Sequence, residues 1–488
     1  MNLSKQTLDR ITSNLIIKPS ISTFDLPERV LQFGTSVLLR GLPDYFINKA
    51  NMAGIFNGRV VLVKSTDKGD TSSFDQQNNL YTICLRGFMS GTPVEENIIS
   101  SAISRVLSAQ KDWDKILACA ENPELKIIIS NTTEAGIELV EEDINQAPPK
   151  SFPAKLLAFL YHRYKTIADR QVSGTVIIPT ELIPDNGKKL FEIVLELAVY
   201  NKLEPNFFTW LKTENHFCNS LVDRIVPGKP APEILDAYER ELGYKDDLLI
   251  CAEPYKLWAI EAPEKVKETL SFYKAGEGVV IEENIDKYRE LKLRLLNGTH
   301  SFCCGLAFFK GFKTVREAME DKFFTGYIER LLFDEIAPAI PYAISEEEKR
   351  KFGHQVLDRF KNPAIDHQWL SISLSYTAKM KMRNKDLIIN YYKLFNKVPQ
   401  HFATGFASYL QFMKPVSVEG TNFYGEFNGN SYLINDTQAK YFYELWKNHS
   451  AEEAVQEVLK NRDLWDYDLD SLPEFREAII LSLSELQR

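Results

Sequence analysis

The stretch Lys292-Leu-Arg-Leu-Leu-Asn297-Gly-Thr-His300 holds the residue types best suited to chemistry. On a regular helix turning about 100° per residue, with Lys292 at the origin, Asn297 falls near ~140° and His300 near ~80°. All three can then line one polar side while Leu293 packs elsewhere. A lysine taken out of water loses part of its preference for the charged form and can exchange a proton with an alcohol. An asparagine amide can stabilise the alkoxide that results, as an oxyanion hole does. A surface lysine beside an asparagine and a histidine that serve a core fits the same spacing. Asn219, in Asn219-Ser-Leu-Val-Asp223-Arg224, is a second amide that could reach a substrate oxygen. The neighbouring Asp223-Arg224 also reads as a structural ion pair.

Metal and nucleophile signals are nearly absent. The seven histidines (162, 216, 300, 354, 367, 401, 449) show no HExxH or comparable ligand spacing, so no metal is expected. Vicinal Cys303-Cys304 lies in an apolar stretch and reads as packing. Neither GxSxG nor GxxxxGK occurs.

A proton-transfer site needs a frame. In the first half, runs rich in Val, Ile and Leu alternate with helical patterns. Strands are predicted at Arg29–Gly34, Arg59–Ser65, Leu125–Asn131 and Gly174–Pro179, with one more within Leu248–Ile260. Helices are predicted at 38–53, 97–109, 153–169 and 190–202. Such alternation predicts an α/β domain with a Rossmann-like parallel sheet covered on both faces. Ligands of these sheets bind beyond the carboxyl ends of the strands.

The first strand ends in Phe33-Gly34-Thr35-Ser36-Val37-Leu38, with Arg40 close behind. A glycine here lets main-chain amides approach a pyrophosphate at a helix N-terminus. The full GxGxxG pattern is absent, because Ser36 and Leu39 hold its second and third glycine positions, and a plain structural turn fits as well. Asp67 follows the second strand, where a carboxylate would meet adenosine ribose hydroxyls, while Lys64 beside it suits a ribose phosphate. NAD and NADP are therefore both open. Asn131, Thr132 and Thr133 end the third predicted strand, as contacts to a ribose or nicotinamide amide or as helix caps.

From about residue 285 the pattern turns helical, with helices predicted at 285–310, 313–333, 345–361, 368–382, 385–396, 436–447 and 450–460. A hairpin is predicted around Thr421–Leu433, turning at Asn428-Gly429. The expected division is 1–284 for a dinucleotide-binding domain and 285–488 for a mostly α-helical substrate-binding and catalytic domain. Segment 397–488 receives no role beyond helical packing.

Lys plus Arg total 58 against 67 Asp plus Glu, a net charge of −9, which leaves no basic footprint for nucleic acid. No apolar run approaches the ~18 residues of a membrane span. Six cysteines in 488 residues make no disulfide framework. A soluble, cytoplasmic protein is expected, with a small-molecule partner and neither nucleic acid nor membrane; its oligomeric state is not specified.

Lys292–Ser301, followed by Gly311-Phe-Lys-Thr-Val-Arg-Glu-Ala-Met-Glu-Asp321, resembles the long-chain mannitol dehydrogenase family. Gln32-Phe-Gly34 with Arg40, Asn131–Gly136, Pro179–Ile183 with Asn186-Gly187, and Phe217–Ile225 extend the resemblance, which runs from about 28 to at least 383. It implies a metal-independent, nicotinamide-dependent oxidoreductase. By that resemblance Lys292 is the general acid/base, Asn219 and Asn297 hold the reacting oxygen, and His300 binds and orients the substrate. Lys379 falls where the family places a substrate-binding lysine, whereas Ser371 stands where its polyol enzymes carry arginine. That departure suits a substrate other than a simple hexitol, and the expected reaction interconverts a ketouronate and an aldonate using NAD(H). His300, Lys379 and Arg224 are the candidate cationic contacts to such an acid. A polyol or a different ketouronate is the alternative within the class; a dinucleotide-binding protein without turnover is the alternative outside it.

Overall fold

A computed structural model describes residues 1–66, 70–132 and 136–486. Asp67 and Thr133 lie outside the described residues. The chain forms two compact units, one of Met1–Arg86 with Pro93–Ile285 and one of Gly87–Thr92 with Asp286–Arg488.

The first unit is built on six parallel strands: β1 (Glu28–Phe33), β2 (Arg59–Lys64), β3 (Ile103–Ser108), β4 (Ile127–Ser130), β5 (Val176–Pro179) and β6 (His216–Phe217). Their spatial order is β3-β2-β1-β4-β5-β6. The direction of winding reverses between β1 and β4, which makes this a doubly wound sheet with its switch point at those two strands. Side chains alternate across it. Val30, Val60, Leu62, Ile127 and Ile129 enter one core, while Leu31, Phe33, Val61, Val63 and Ile128 enter the other. Continuous Val/Ile/Leu runs are what two buried faces demand. Helices α1 (Val37–Gly41) and α2 (Pro43–Met52) cover the first face, and α3 (Phe152–Thr166) and α4 (Asn186–Tyr200) the second.

Two expectations fail here. The helix predicted at 97–109 is instead the end of strand Thr92–Ser100 followed by β3. Its apolar positions (Ile98, Ile99, Ala102, Ile103, Val106, Leu107) tolerate either period, and parallel pairing with β2, Val60 opposite Ile103, prevails. The stretch Leu248–Ile260 is two strands, not one. Ile250–Ala252 joins Tyr81–Met89 in a four-stranded sheet, and Leu257–Glu261 lies between Ser220–Asp223 and Val279–Glu282 in a three-stranded sheet. Pro254 lies between the two and cannot donate to a ladder.

The second unit is mainly helical. Helix α5 (Asp286–Leu291), a π-helical segment (Lys292–Gly298) and α6 (Thr299–Phe309) follow without a break. Further on lie α7 (Glu346–Phe360), α8 (Tyr376–Phe395), α9 (Gln400–Phe412) and α10 (Phe475–Leu486). The two helices expected at 368–382 and 385–396 are a short turn, Trp369–Ile372, and the single helix α8. The break comes at Ser375, whose φ of 53° is left-handed, and α8 itself contains no Gly or Pro to interrupt it. Asn428 and Gly429 both take positive φ between strands Asn422–Phe427 and Asn430–Leu433, the hairpin expected from their chemistry. Helix α9 gives segment 397–488 a purpose: Phe402 stacks on Phe302 of α6 at 4.6 Å, buttressing the helix that continues from the π segment. Among the described residues no helix is long and apolar enough to cross a membrane.

Beneath the switch point, Gln32 Nε2 donates to Asp44 Oδ2 at 3.2 Å, with both side chains fully buried. Gln32 Oε1 and Asp44 Oδ1 meet no donor among the described residues. Burial pushes the Asp44 carboxyl up to about 7, and the bound proton can supply the missing donor. A folded-state value above the usual one means that this group's stabilisation is full below about pH 4 and lost as pH rises through about 7. Urea unfolding of wild type and Asp44→Asn should therefore show a stability difference that shifts against wild type between those pH values and is level above them; a difference independent of pH would refute the assignment.

Candidate functional site

An α-helix closes i→i+4 rings, whereas a π turn closes i→i+5 and shifts every later residue on the helix surface. Lys292 and Asn297 are five apart and span this π segment. They therefore sit one turn apart on one face, rather than the ~140° apart that regular helix geometry gives. Their spacing alone allows one broad polar side; the π turn brings them into line.

Widening the turn alters which carbonyls need donors, and neighbouring side chains supply them. Thr299 Oγ1 donates to Leu295 O at 2.6 Å, Ser301 Oγ to Asn297 O at 3.1 Å, and Asn384 Nδ2 to Gly298 O at 3.4 Å. Arg383 Nη1 reaches Asn297 O at 3.2 Å and Ser301 Oγ at 3.0 Å. Buried Arg294, inside the π segment, donates to the carbonyls of Met382 and Arg383 and pairs with Glu290 and Asp386. Helix α8 thus clamps the π turn from both directions.

Lys292 and Asn297 are half-buried and His300 is buried. The His300 ring stacks on Phe360 of α7 at 4.4 Å and meets His367 edge-on at 5.1 Å. Burial first, then the fields of neighbouring His367, Arg383, Arg359 and Lys379, holds its pKa well below the ordinary histidine value. His300 is therefore a neutral hydrogen-bonding group at neutral pH, which corrects its reading as a cation for an acidic substrate. Lys379, one helical turn before Arg383, donates from Nζ to Ile372 O at 2.8 Å. Burial and Arg383 lower its pKa. Arg383 is the residue that sequence reasoning missed. Its signal was its place four after Lys379, on the same face of one helix.

In the first unit, Gly34 takes a φ of 128°, a conformation that disfavours any side chain, and a Cβ there would lie 3.1 Å from Asn131 O. Ser36 caps α1 by accepting from the Leu39 amide at 3.3 Å and donates to Asn131 Oδ1 at 3.2 Å. The ends of β1 and β4 are thereby tied across the switch point. Asn131 Nδ2 donates to Thr180 O, and the Thr132 amide and hydroxyl both reach buried Glu181 at the end of β5. The Phe33 side chain packs on Phe152 in the core, so only its main chain faces the turn. Thr35, Val37 and Leu38 continue that turn into the half-buried start of α1. A side-chain-free turn beside small polar groups at the switch point fits a dinucleotide pyrophosphate.

Three predicted contacts have structural duties in this unit. Arg40 is buried over Phe74 and Tyr81 and donates to Leu248 O at 2.6 Å. Arg224 is buried on Tyr45 and donates to Glu253 O at 2.9 Å and Gly41 O at 2.6 Å. Its Nε and Nη1 thus serve main-chain carbonyls of the frame, while its buried Nη2 meets no acceptor among the described residues. Asn219 Oδ1 accepts from the Lys188 amide at 3.0 Å, and its Nδ2 donates to Glu261 at 3.1 Å. Among the described residues no group of three or more His, Cys, Asp or Glu side chains is arranged to hold a metal ion.

A doubly wound parallel sheet followed by a helical unit with a lysine–asparagine π turn defines the class. Residues 28–274 match the mannitol dehydrogenase Rossmann domain and residues 284–487 the mannitol dehydrogenase C-terminal domain. The chain belongs to the mannitol dehydrogenase family. It is 38% identical to the altronate oxidoreductase of Halalkalibacterium halodurans, over 94% of this chain and 90% of that one. It is 37% identical to the altronate oxidoreductase of Bacillus subtilis, over 94% and 93%. A substrate-free D-sorbitol dehydrogenase shares the fold with a TM-score of 0.76 at 18% identity, covering 100% of this chain and 98% of that one. The Pseudomonas fluorescens mannitol 2-dehydrogenase, solved with NAD and D-mannitol, gives 0.68 at 20% identity, covering 100% and 97%.

The clamp on the π turn is testable through Gly298, where a Cβ would lie 2.8 Å from Asn384 Oδ1. Gly298→Ala should cost about 1–3 kcal/mol in urea unfolding. Combined with Asn384→Ala, the loss should be smaller than the sum of the two single losses. Additive losses would show that the contact carries no strain.

Proposed function

We propose that this protein catalyses the NAD(H)-dependent interconversion of a ketouronate and an aldonate, with D-tagaturonate reduced to D-altronate. The observation that carries the reading is the π turn that aligns Lys292 with Asn297, next to His300 and flanked by Lys379 and Arg383. The similarity to altronate oxidoreductases along 94% of the chain supports the choice of substrate class.

The main chain of Gly34–Ser36, with Asn131 and Thr132, would hold a nicotinamide dinucleotide at the β1–β4 switch point, and the group would there supply or accept the hydride. Protonated Lys292 gives its proton to the oxygen of the ketone as that oxygen gains charge. In the oxidative direction neutral Lys292 takes the hydroxyl proton back. Asn297 donates its amide hydrogen to the same oxygen, and Asn219 can do so only with the Nδ2 hydrogen that Glu261 does not take. Neutral His300 orients a sugar hydroxyl, either accepting or donating, and Lys379 attracts the acid. Because an amine moves the proton, the reaction needs no metal.

Lys292→Ala should nearly abolish NADH oxidation by D-tagaturonate while NADH binding, followed by fluorescence, persists. Near-normal turnover would remove Lys292 from its role. Asn297→Ala should lower kcat by about 100-fold or more, the usual loss of an oxyanion donor. Activity should survive prolonged dialysis against a chelator; loss that is restored by a divalent cation would contradict the amine mechanism. A panel of D-tagaturonate, D-fructuronate and D-mannitol, each with both nicotinamide cofactors, tests the substrate.

A further inference from the structure

Helix α8 treats its cations in two ways. On one side Lys381 pairs with Asp466 at 2.9 Å, and Lys385 lies 3.5 Å from Asp386 and 3.7 Å from Asp466. One turn apart on another face, Lys379 and Arg383 have no carboxylate within ion-pairing distance among the described residues, although both are half-buried. Among the described residues, the hydrogen-bond acceptor of Lys379 Nζ is the Ile372 carbonyl. Arg383 uses Nη1 for Asn297 O and Ser301 Oγ, while its Nε is buried and meets no acceptor. The acid whose field reaches Lys379 is Asp436, and its two oxygens accept from the main-chain amides of Thr377 and Gln438. The Cys304 thiol also lies near both cations, but burial pushes its pKa to about 12 and keeps it uncharged at neutral pH. His300 and His367, which adjoin these cations, are themselves held neutral by burial and by that positive charge.

Gathering cations out of water without counter-charge is costly, and a buried guanidinium N–H left unpaired adds to the cost. The buried arginine and lysine of this unit whose partners are described both have acidic ones: Arg294 has Glu290 and Asp386, and Lys349 has Glu346. The exception lies against the carbonyl of Asn297, beside the proposed acid/base pair.

We infer that Arg383, with Lys379, is the receptor for the carboxylate of the sugar acid, and that this pair makes the site take an acid in preference to a neutral polyol. The inference rests on the reaction proposed above and names what selects its substrate. A carboxylate there accepts from Arg383 Nη2, which is less enclosed than Nε and is engaged by none of the described residues, and from Lys379, supplying the missing charge. Because Nη1 stays on Asn297 O, binding the acid also fixes the main chain of the residue that holds the reacting oxygen.

The test compares D-altronate with D-altritol, its neutral counterpart with CH2OH in place of the carboxylate, in NAD reduction by wild type, Arg383→Gln, Arg383→Lys, Lys379→Gln and the control Lys381→Gln. Arg383→Gln should lower kcat/KM for D-altronate by about 30-fold or more, mainly through KM, and by at least about tenfold more than it lowers kcat/KM for D-altritol, which shares only the loss of the brace on Asn297. Lys379→Gln should show the same selectivity, Arg383→Lys should recover much of the loss, and Lys381→Gln should match wild type. Equal losses on acid and polyol would reduce Arg383 to holding the π turn and overturn the inference, as would an unchanged rate on the acid. Calorimetric titration of NADH-loaded wild type and Arg383→Gln with D-altronate, a pairing that cannot transfer hydride, makes the comparison without turnover. If wild type fails to oxidise D-altronate, the reaction assigned above fails, while tighter acid binding by wild type than by Arg383→Gln still supports the receptor and equal binding overturns it.

Discussion

The main-chain carbonyls of a π turn are the constraint from which the helical unit takes its form. An i→i+5 segment is less favourable than the α-helix on either side, so it persists only where other groups hold it. Here Thr299, Ser301, Arg383 and Asn384 satisfy the carbonyls of Leu295, Asn297 and Gly298, while Arg294 returns the grip on α8. Holding the turn aligns Lys292 with Asn297. The same arginine that braces Asn297 keeps its Nε pointed where no protein acceptor meets it. Position, charge and chemistry are thus coupled through one helix-to-helix contact, and α9 behind α6 makes that contact rigid by burying Phe302 against Phe402.

The first unit solves a different problem with similar economy. A parallel sheet buried on both faces leaves its polar groups at the strand ends, and the reversal between β1 and β4 opens a crevice there. Gly34 removes the side chain that would fill it, and Ser36 with Asn131 bridges its two rims. The cations near this end, Arg40 and Arg224, donate to main-chain carbonyls of the frame. Beneath the turn, the buried Gln32–Asp44 pair, whose carboxyl is raised by burial to about 7, gives the frame a polar core sensitive to protonation.

Much of this was legible in the residues. Near-continuous Val/Ile/Leu runs specified β1, β2, β4 and β5 to within two residues, because both faces of a parallel sheet must be apolar. The same logic failed at Ile103–Ser108, where spaced β-branched residues match a helix equally well and only pairing with β2 decides. The hairpin at Asn428-Gly429 was readable because its turn needs left-handed residues. Lys292, Asn297 and His300 stood out by type, yet their alignment was not readable, since the π turn is held by donors 86 residues away, on α8. Arg224 and Asn219 looked available because a sequence shows polarity without showing commitments. Arg383 looked ordinary for the converse reason: its importance lies in the acid it lacks.

In the proposed reaction Lys292 and Asn297 work as one unit on a single oxygen. A double-mutant cycle on kcat/KM with Lys292→Ala, Asn297→Ala and the pair combined measures this directly. Groups acting together predict that the double variant is no slower than Lys292→Ala by more than about threefold. Losses that multiply, each variant costing the same in the presence or absence of the other, would contradict the alignment on which the account rests.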